Sequence, residues 1–81
     1  MKIIDVRDKA EYDNGHIENA INISLTEIMD GKLPECEKEE KILLYCVSGG
    51  RSGRAQHILK SAGFINVENG GGYNDLRAKS F

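Results

Sequence analysis

Four short apolar runs separated by polar or glycine-bearing segments set the pattern of this chain. Lys2-Ile3-Ile4-Asp5-Val6 has no polar alternation, which suits a central strand covered on both faces of a parallel sheet. Ala20-Ile21-Asn22-Ile23, Lys41-Ile42-Leu43-Leu44 and Phe64-Ile65-Asn66-Val67-Glu68 predict three further strands. Between the third and fourth runs the period changes. Ala55, Ile58, Leu59 and Ala62 fall at i, i+3, i+4 and i+7, one apolar face of a helix, and Gly63 stands where a C′ glycine belongs. Ser24-Leu25-Thr26-Glu27 is a capping box opening a short helix with Leu25, Ile28 and Met29 inward, ended by Asp30-Gly31. Asp8 caps a helical turn, within which an Arg7–Glu11 ion pair is expected. Asn14-Gly15 marks a turn, and Tyr73–Ala78 predicts a terminal helix with a fraying end. Lys32–Lys41 holds the only proline and a charge run, and reads as solvated loop. Strands alternating with helices predict the α/β class, with right-handed crossovers and a small, mainly parallel sheet of about four strands.

Length bounds this to one domain, residues 1–81, with one small core. The net charge is −2 with both signs interspersed, so no basic face marks a nucleic-acid partner. No apolar stretch is long enough to span a membrane. Met1-Lys2 passes at once into Ile3-Ile4-Asp5, which does not read as a signal peptide. As written the chain is expected in the cytoplasm, with the periplasm the alternative if a leader was removed. Two cysteines make no disulfide framework, and with His16 and His57 they have no zinc-ligand spacing. Cys36 lies among Glu35, Glu37, Glu39 and Glu40, which should hold its pKa up, and it reads as an exposed thiol rather than a resolving one.

The chemistry is concentrated in Cys46-Val47-Ser48-Gly49-Gly50-Arg51-Ser52. Cys46 closes a strand, and a glycine turn leads from it into a helix N-terminus near Ser52. Gly49 and Gly50 permit positive φ, which turns successive N–H groups inward as an anion-binding nest. The helix start adds orphan N–H groups and the positive end of its dipole. Arg51 adds a planar fork of donors suited to oxyanions. A thiol in that field should ionise below the usual value of about 8.5. An already ionised sulfur needs no base, so His16 is read as structural, and His57, off the apolar face of its helix, as exposed. Asp5 and Arg7 either brace this loop or form a local cap and surface pair. Gly70-Gly71-Gly72 falls at the carboxyl edge of the fourth strand, beside the loop, where glycines permit close backbone approach.

The Cys46–Ser52 loop resembles the active-site loop of rhodanese domains. Ile4-Asp5-Val6-Arg7, Glu11-Tyr12, Gly15-His16-Ile17 and Ala20-Ile21-Asn22-Ile23 resemble that family's second signature, and Gly63-Phe64 and Val67–Gly72 match downstream. The resemblance covers nearly the whole chain in order and points to the small single-domain type. It implies a three-layer α/β/α rhodanese-like fold with a minimal sheet, lacking the extra strand and helix of larger members. It implies a thiosulfate-type sulfurtransferase in which Cys46 carries a persulfide. Val47, Ser48, Gly49, Gly50, Arg51 and Ser52 would bind the substrate, with Asp5, Arg7 and Gly71 supporting. The expected partners are a small sulfur-containing anion such as thiosulfate and a thiophilic acceptor, cyanide or a protein thiol. No metal or organic cofactor, nucleic acid or membrane is implied. Two alternatives stand beside this: a persulfide carrier without turnover of its own, and a cysteine phosphatase or arsenate reductase. The second would want Cys-x5-Arg, and here Arg51 follows Cys46 by five positions, giving Cys-x4-Arg.

Overall fold

The sheet is built outward from β1 (Lys2–Asp5), which pairs in parallel with β2 (Ile21–Asn22) on one side and β3 (Ile42–Cys46) on the other. β4 (Val67–Gly72) adds in parallel to β3, giving the order β2-β1-β3-β4. The computed structural model describes residues 1–79. Its helices are α1 (Lys9–Asp13), α2 (Leu25–Met29), α3 (Gly50–Ser61) and α4 (Tyr73–Arg77).

Alternation along the strands sorts the core into two layers. Ile4, Val6, Ile42, Leu44 and Cys46 face one way and pack with Ile28 of α2, Ala55 and Leu59 of α3, and Phe64. Ile3, Leu43 and Tyr45 face the other way, against Ile17, Ala20 and Leu76, with Tyr73 alongside. Both faces of the sheet are therefore covered. That is why all five residues of β3 are buried and why its sequence shows no polar alternation. Leu44 and Leu59 are fully buried, and truncating either to alanine should cost about 2–5 kcal/mol.

Several expected boundaries move, each for a local reason. Phe64 does not begin a strand. The N–H of Gly63 donates to the Lys60 carbonyl and that of Phe64 to the Leu59 carbonyl, with Gly63 at φ +103°, which is a Schellman stop. That motif turns Phe64 back onto Leu59 in the core and leaves Ile65 exposed. β4 consequently starts at Val67, and the three glycines lie inside it rather than after it. Ala62 caps α3 and is exposed rather than packed on the helix's apolar face. Met29 also points to solvent, while Ile28 is buried in the core and Leu25, as expected, packs against it half-buried. The second strand contracts to Ile21–Asn22, while Ala20 and Ile23 pack on opposite layers.

The charged linker is less solvated than its composition suggests. Pro34 is buried, and Cys36 is half-buried against the α2–α3 layer. The Lys38 ammonium lies 4.0 Å from the Phe64 ring centre and donates to the Ala62 carbonyl, while the Lys38 carbonyl accepts from Ile65. Cys36 is thus not a plain exposed thiol. Burial first, and then Glu40, push its pKa up.

Candidate active site around Cys46

Cys46 ends β3 at the carboxyl edge of the sheet, the edge where open α/β folds bind ligands. Its sulfur is almost completely buried. The chain then folds back over it: Gly49 takes φ +97° and serves as N-cap, so α3 begins at Gly50, two residues before Ser52. This turns the Gly49 N–H onto Sγ at 3.1 Å and the Ser52 N–H onto it at 3.4 Å. Ser52 Oγ lies 3.5 Å from Sγ, where either atom can donate. Burial raises the Cys46 pKa, but the Ser52 side chain, when its proton faces the sulfur, and the N–H groups of Ser52, Ser48 and Gly49 outweigh it. With the hydroxyl so turned, the balance lowers the pKa to about 7, and the Ser52 share of that lowering is absent when its proton lies on Asn69.

β4 closes the loop from the side. Cys46 pairs with Gly72 and Leu44 with Asn69, so three steps on β4 match two on β3, a bulge centred on Gly71 at φ +86°. A Cβ on Gly72 would sit 2.3 Å from the Val47 carbonyl oxygen, so the close approach expected of the triple glycine is made chiefly there. Gly71, the glycine expected to support the site, contributes its backbone: its φ is positive and its N–H donates to Asn69 Oδ1 at 3.0 Å. Asn69 Nδ2 donates to the Gly49 carbonyl at 3.0 Å, and Ser52 Oγ donates to Asn69 Oδ1 at 2.6 Å. Asn69 therefore ties the loop, the helix start and the bulge together.

Arg51 stands at the rim, about one-third exposed, and grips Glu11 of α1 at two points, 2.7 and 3.1 Å. Hydrogen bonds from Arg51 lead the forces that hold the Glu11 carboxyl down at about 2. The expected Arg7–Glu11 pair is not formed. Arg7 instead turns back on Asp5, with Nε at 3.0 Å from both carboxylate oxygens and one terminal nitrogen at 2.7 Å. Asp5 and Arg7 are both buried, so they are not a surface pair. They hold the residue before the cysteine: Tyr45 Oη donates to Asp5 at 2.8 Å and accepts from the Ile17 N–H at 3.0 Å. Arg7 also donates to the Gly15 carbonyl. Burial leads the effects that raise the Tyr45 pKa, so its hydroxyl remains a donor.

Val47 and Ser48 are exposed beside the sulfur, and Gly50 has open space where a Cβ would be. His16 is stacked on Tyr12 with ring centres 3.7 Å apart, and His57 is exposed on α3. Asn69 and Tyr45, and the pairing of Glu11 with Arg51 rather than Arg7, are the features of the candidate site that sequence reading missed. A polar Asn69 two positions before the bulge glycine, at the ligand edge of a strand, was the one available signal for the first.

The Rhodanese-like domain family matches residues 1–79. Thiosulfate sulfurtransferase PspE of Escherichia coli is 38% identical over 74 residues, spanning 90% of this chain and 71% of that protein. YrkF of Bacillus subtilis, a putative sulfur carrier protein, is 35% identical over 85% of this chain, which spans 37% of YrkF. The Rhodanese_3-like domain of the Anabaena protein Alr3790 superposes with a TM-score of 0.84 at 32% identity, covering 95% of this chain and 90% of that domain. The family match spans residues 1–79 rather than the cysteine loop alone, and on that basis the chain belongs to the Rhodanese-like domain family.

Proposed function

We propose that this protein moves a sulfane sulfur from a thiosulfate-like anion to a thiophilic acceptor through a persulfide on Cys46. The observation that carries the reading is the buried Cys46 sulfur ringed by inward N–H groups at the start of α3. The thiolate attacks the outer sulfur of the donor. The donor's S–S bond breaks, its electron pair leaves with sulfite, and a Cys46 S–S bond forms. The acceptor, cyanide or a protein thiolate, then attacks the outer sulfur and returns Cys46 as thiolate. The cycle is ping-pong by construction. The loop N–H groups stabilise charge on the outer sulfur. The loop backbone from Val47 to Gly50 shapes that cradle. Arg51 offers a guanidinium with five N–H donors, of which Glu11 engages two, and the rest remain for the donor's oxygens. Asp5 and Arg7 support the reaction indirectly, by fixing Tyr45 and with it the strand end that presents the sulfur.

The decisive experiment is the intact mass after treatment with thiosulfate. One added sulfur, removed by cyanide and absent in Cys46→Ser, is the expected result, and an unchanged mass would remove the proposal. The similarity to a putative sulfur carrier gives a second reading, in which the chain holds sulfur for a partner. Slow turnover with free thiosulfate, together with fast loading from a protein persulfide, would favour that carrier. Phosphate chemistry fits less well, since Cys-x4-Arg gives a narrower ring of donors than Cys-x5-Arg.

A further inference from the structure

Ser52 carries one hydroxyl proton, and two acceptors lie within reach of it. Asn69 Oδ1 is 2.6 Å from Ser52 Oγ, and Cys46 Sγ is 3.5 Å away. The orientation of the Asn69 amide is fixed by its other neighbours. The Gly71 N–H can only donate, and it meets Oδ1 at 3.0 Å. The Gly49 carbonyl can only accept, and it meets Nδ2 at 3.0 Å. Oδ1 is therefore an acceptor facing Ser52, and at 2.6 Å it takes the hydroxyl proton. Ser52 is fully buried, so no solvent competes for that proton.

We propose that Asn69 is a positioning residue that withholds the Ser52 hydroxyl proton from Cys46, so that the sulfur meets the lone pair of that oxygen along with the backbone N–H groups of Gly49 and Ser52. The neutral thiol is content there, because S–H donates to Ser52 Oγ. The thiolate is not. It either faces the lone pair, or the hydroxyl turns toward it and leaves two oxygen acceptors 2.6 Å apart without a proton between them. Both arrangements disfavour the thiolate relative to a cradle whose hydroxyl is free. The sulfur is thereby kept more basic, and a more basic thiolate is the stronger nucleophile. A persulfide escapes the penalty, because its charge moves to the outer sulfur, away from Ser52. This last consequence rests on Cys46 being the sulfur acceptor, as proposed above.

No charged group performs this role instead. On α3, Arg51 is paired with Glu11 of α1. On β1, Asp5 is paired with Arg7. At the start of α4, Asp75 lies near Gly72. Among the described residues none of these hydrogen-bonds to the Cys46 sulfur or to Ser52.

The test is the pH dependence of Cys46 alkylation by iodoacetamide, measured on the whole chain carrying Cys36→Ser so that one thiol reports. Asn69→Leu keeps the side chain's size and frees the Ser52 proton. It should lower the apparent pKa by about one pH unit, the scale of one hydrogen bond to a charged group. Ser52→Ala should leave the pKa unchanged or lower it, and Asn69→Leu added to Ser52→Ala should lower it no further. An unshifted or raised pKa in folded Asn69→Leu overturns the proposal. If Asn69→Leu does not fold, Ser52→Ala decides alone: a raised pKa would mean that the hydroxyl donates to the thiolate in the wild type, and the proposal fails. Alkylation does not require sulfur transfer. A wild type that takes no sulfur from thiosulfate would remove the proposed function and leave these pKa values standing.

Discussion

Glu11 and Arg51, forty residues apart in the chain, meet at 2.7 Å across the mouth of the Cys46 loop. The pair joins α1 to the start of α3, and it sets the resting direction of the guanidinium at the rim of the loop. Its pH signature follows from the sign of the Glu11 shift. The carboxyl's pKa falls from 4.5 to about 2 on folding, so the folded state gains stability above 4.5 and loses it as pH falls from there toward about 2. Glu11→Gln should therefore flatten the acid limb of a stability-against-pH curve in that window and lower the neutral plateau by the gain the pair contributes there, without changing its slope. An acid limb identical to wild type would show that the ion pair does not persist in solution. Because both side chains are about one-third exposed, the gain at neutral pH is expected to be small.

Arg51→Ala should reduce turnover of thiosulfate while alkylation of Cys46 by a neutral reagent persists. The loss can reach ~3 kcal/mol in transition-state stabilisation, the scale of one strong oxyanion donor. Arg51→Lys should recover part of it, since an ammonium lacks the planar fork. Steady-state rates for the three proteins measure this, and equal rates would place Arg51 outside the reaction.

Cys46→Ser should abolish sulfur loading with little change in melting temperature, because a hydroxyl is close in size but stays protonated at neutral pH. Cys36→Ser should leave loading intact, with at most a small loss of stability from its half-buried position. Loading that disappears in Cys36→Ser would instead give that thiol a resolving role.

The glycines of β4 should separate by mechanism. Gly72→Ala drives a Cβ to 2.3 Å from the Val47 carbonyl, backbone against backbone, so the cysteine loop must shift. Overpacking of this kind costs about 1–3 kcal/mol, and sulfur loading should fall along with stability. Gly71→Ala meets open space, and only its φ of +86° opposes a side chain, at about 1–2 kcal/mol. Denaturant midpoints and loading rates on both variants test the distinction. A loading rate untouched by Gly72→Ala would show that β4 does not shape the loop.

What the sequence by itself determined is local. The unbroken Ile42-Leu43-Leu44 run reads as a strand covered on both faces, and β3 is buried throughout. The Ser24–Glu27 capping box and the Gly63 helix stop were written within a few residues of themselves, and both formed. The direction from Cys46 through glycines into α3 was legible for the same reason: it needs only backbone freedom at Gly49 and an apolar helical period after it. Tertiary structure decided the partners. Arg7 had Asp5, Asp8 and Glu11 within four residues, and it took Asp5 because Tyr45 and the Gly15 carbonyl, brought in from elsewhere in the chain, complete a buried network around that pair. Glu11 was thereby left for Arg51. The close packing of Gly72 on Val47 and the hold of Asn69 on Ser52 depend on the register of β4 against β3, which a bulge resets between Leu44 and Cys46. A one-residue offset in strand pairing exchanges the side chains on each face. No pattern within Val67–Gly72 specifies that offset, because it is set by where β3 and the cysteine loop already lie.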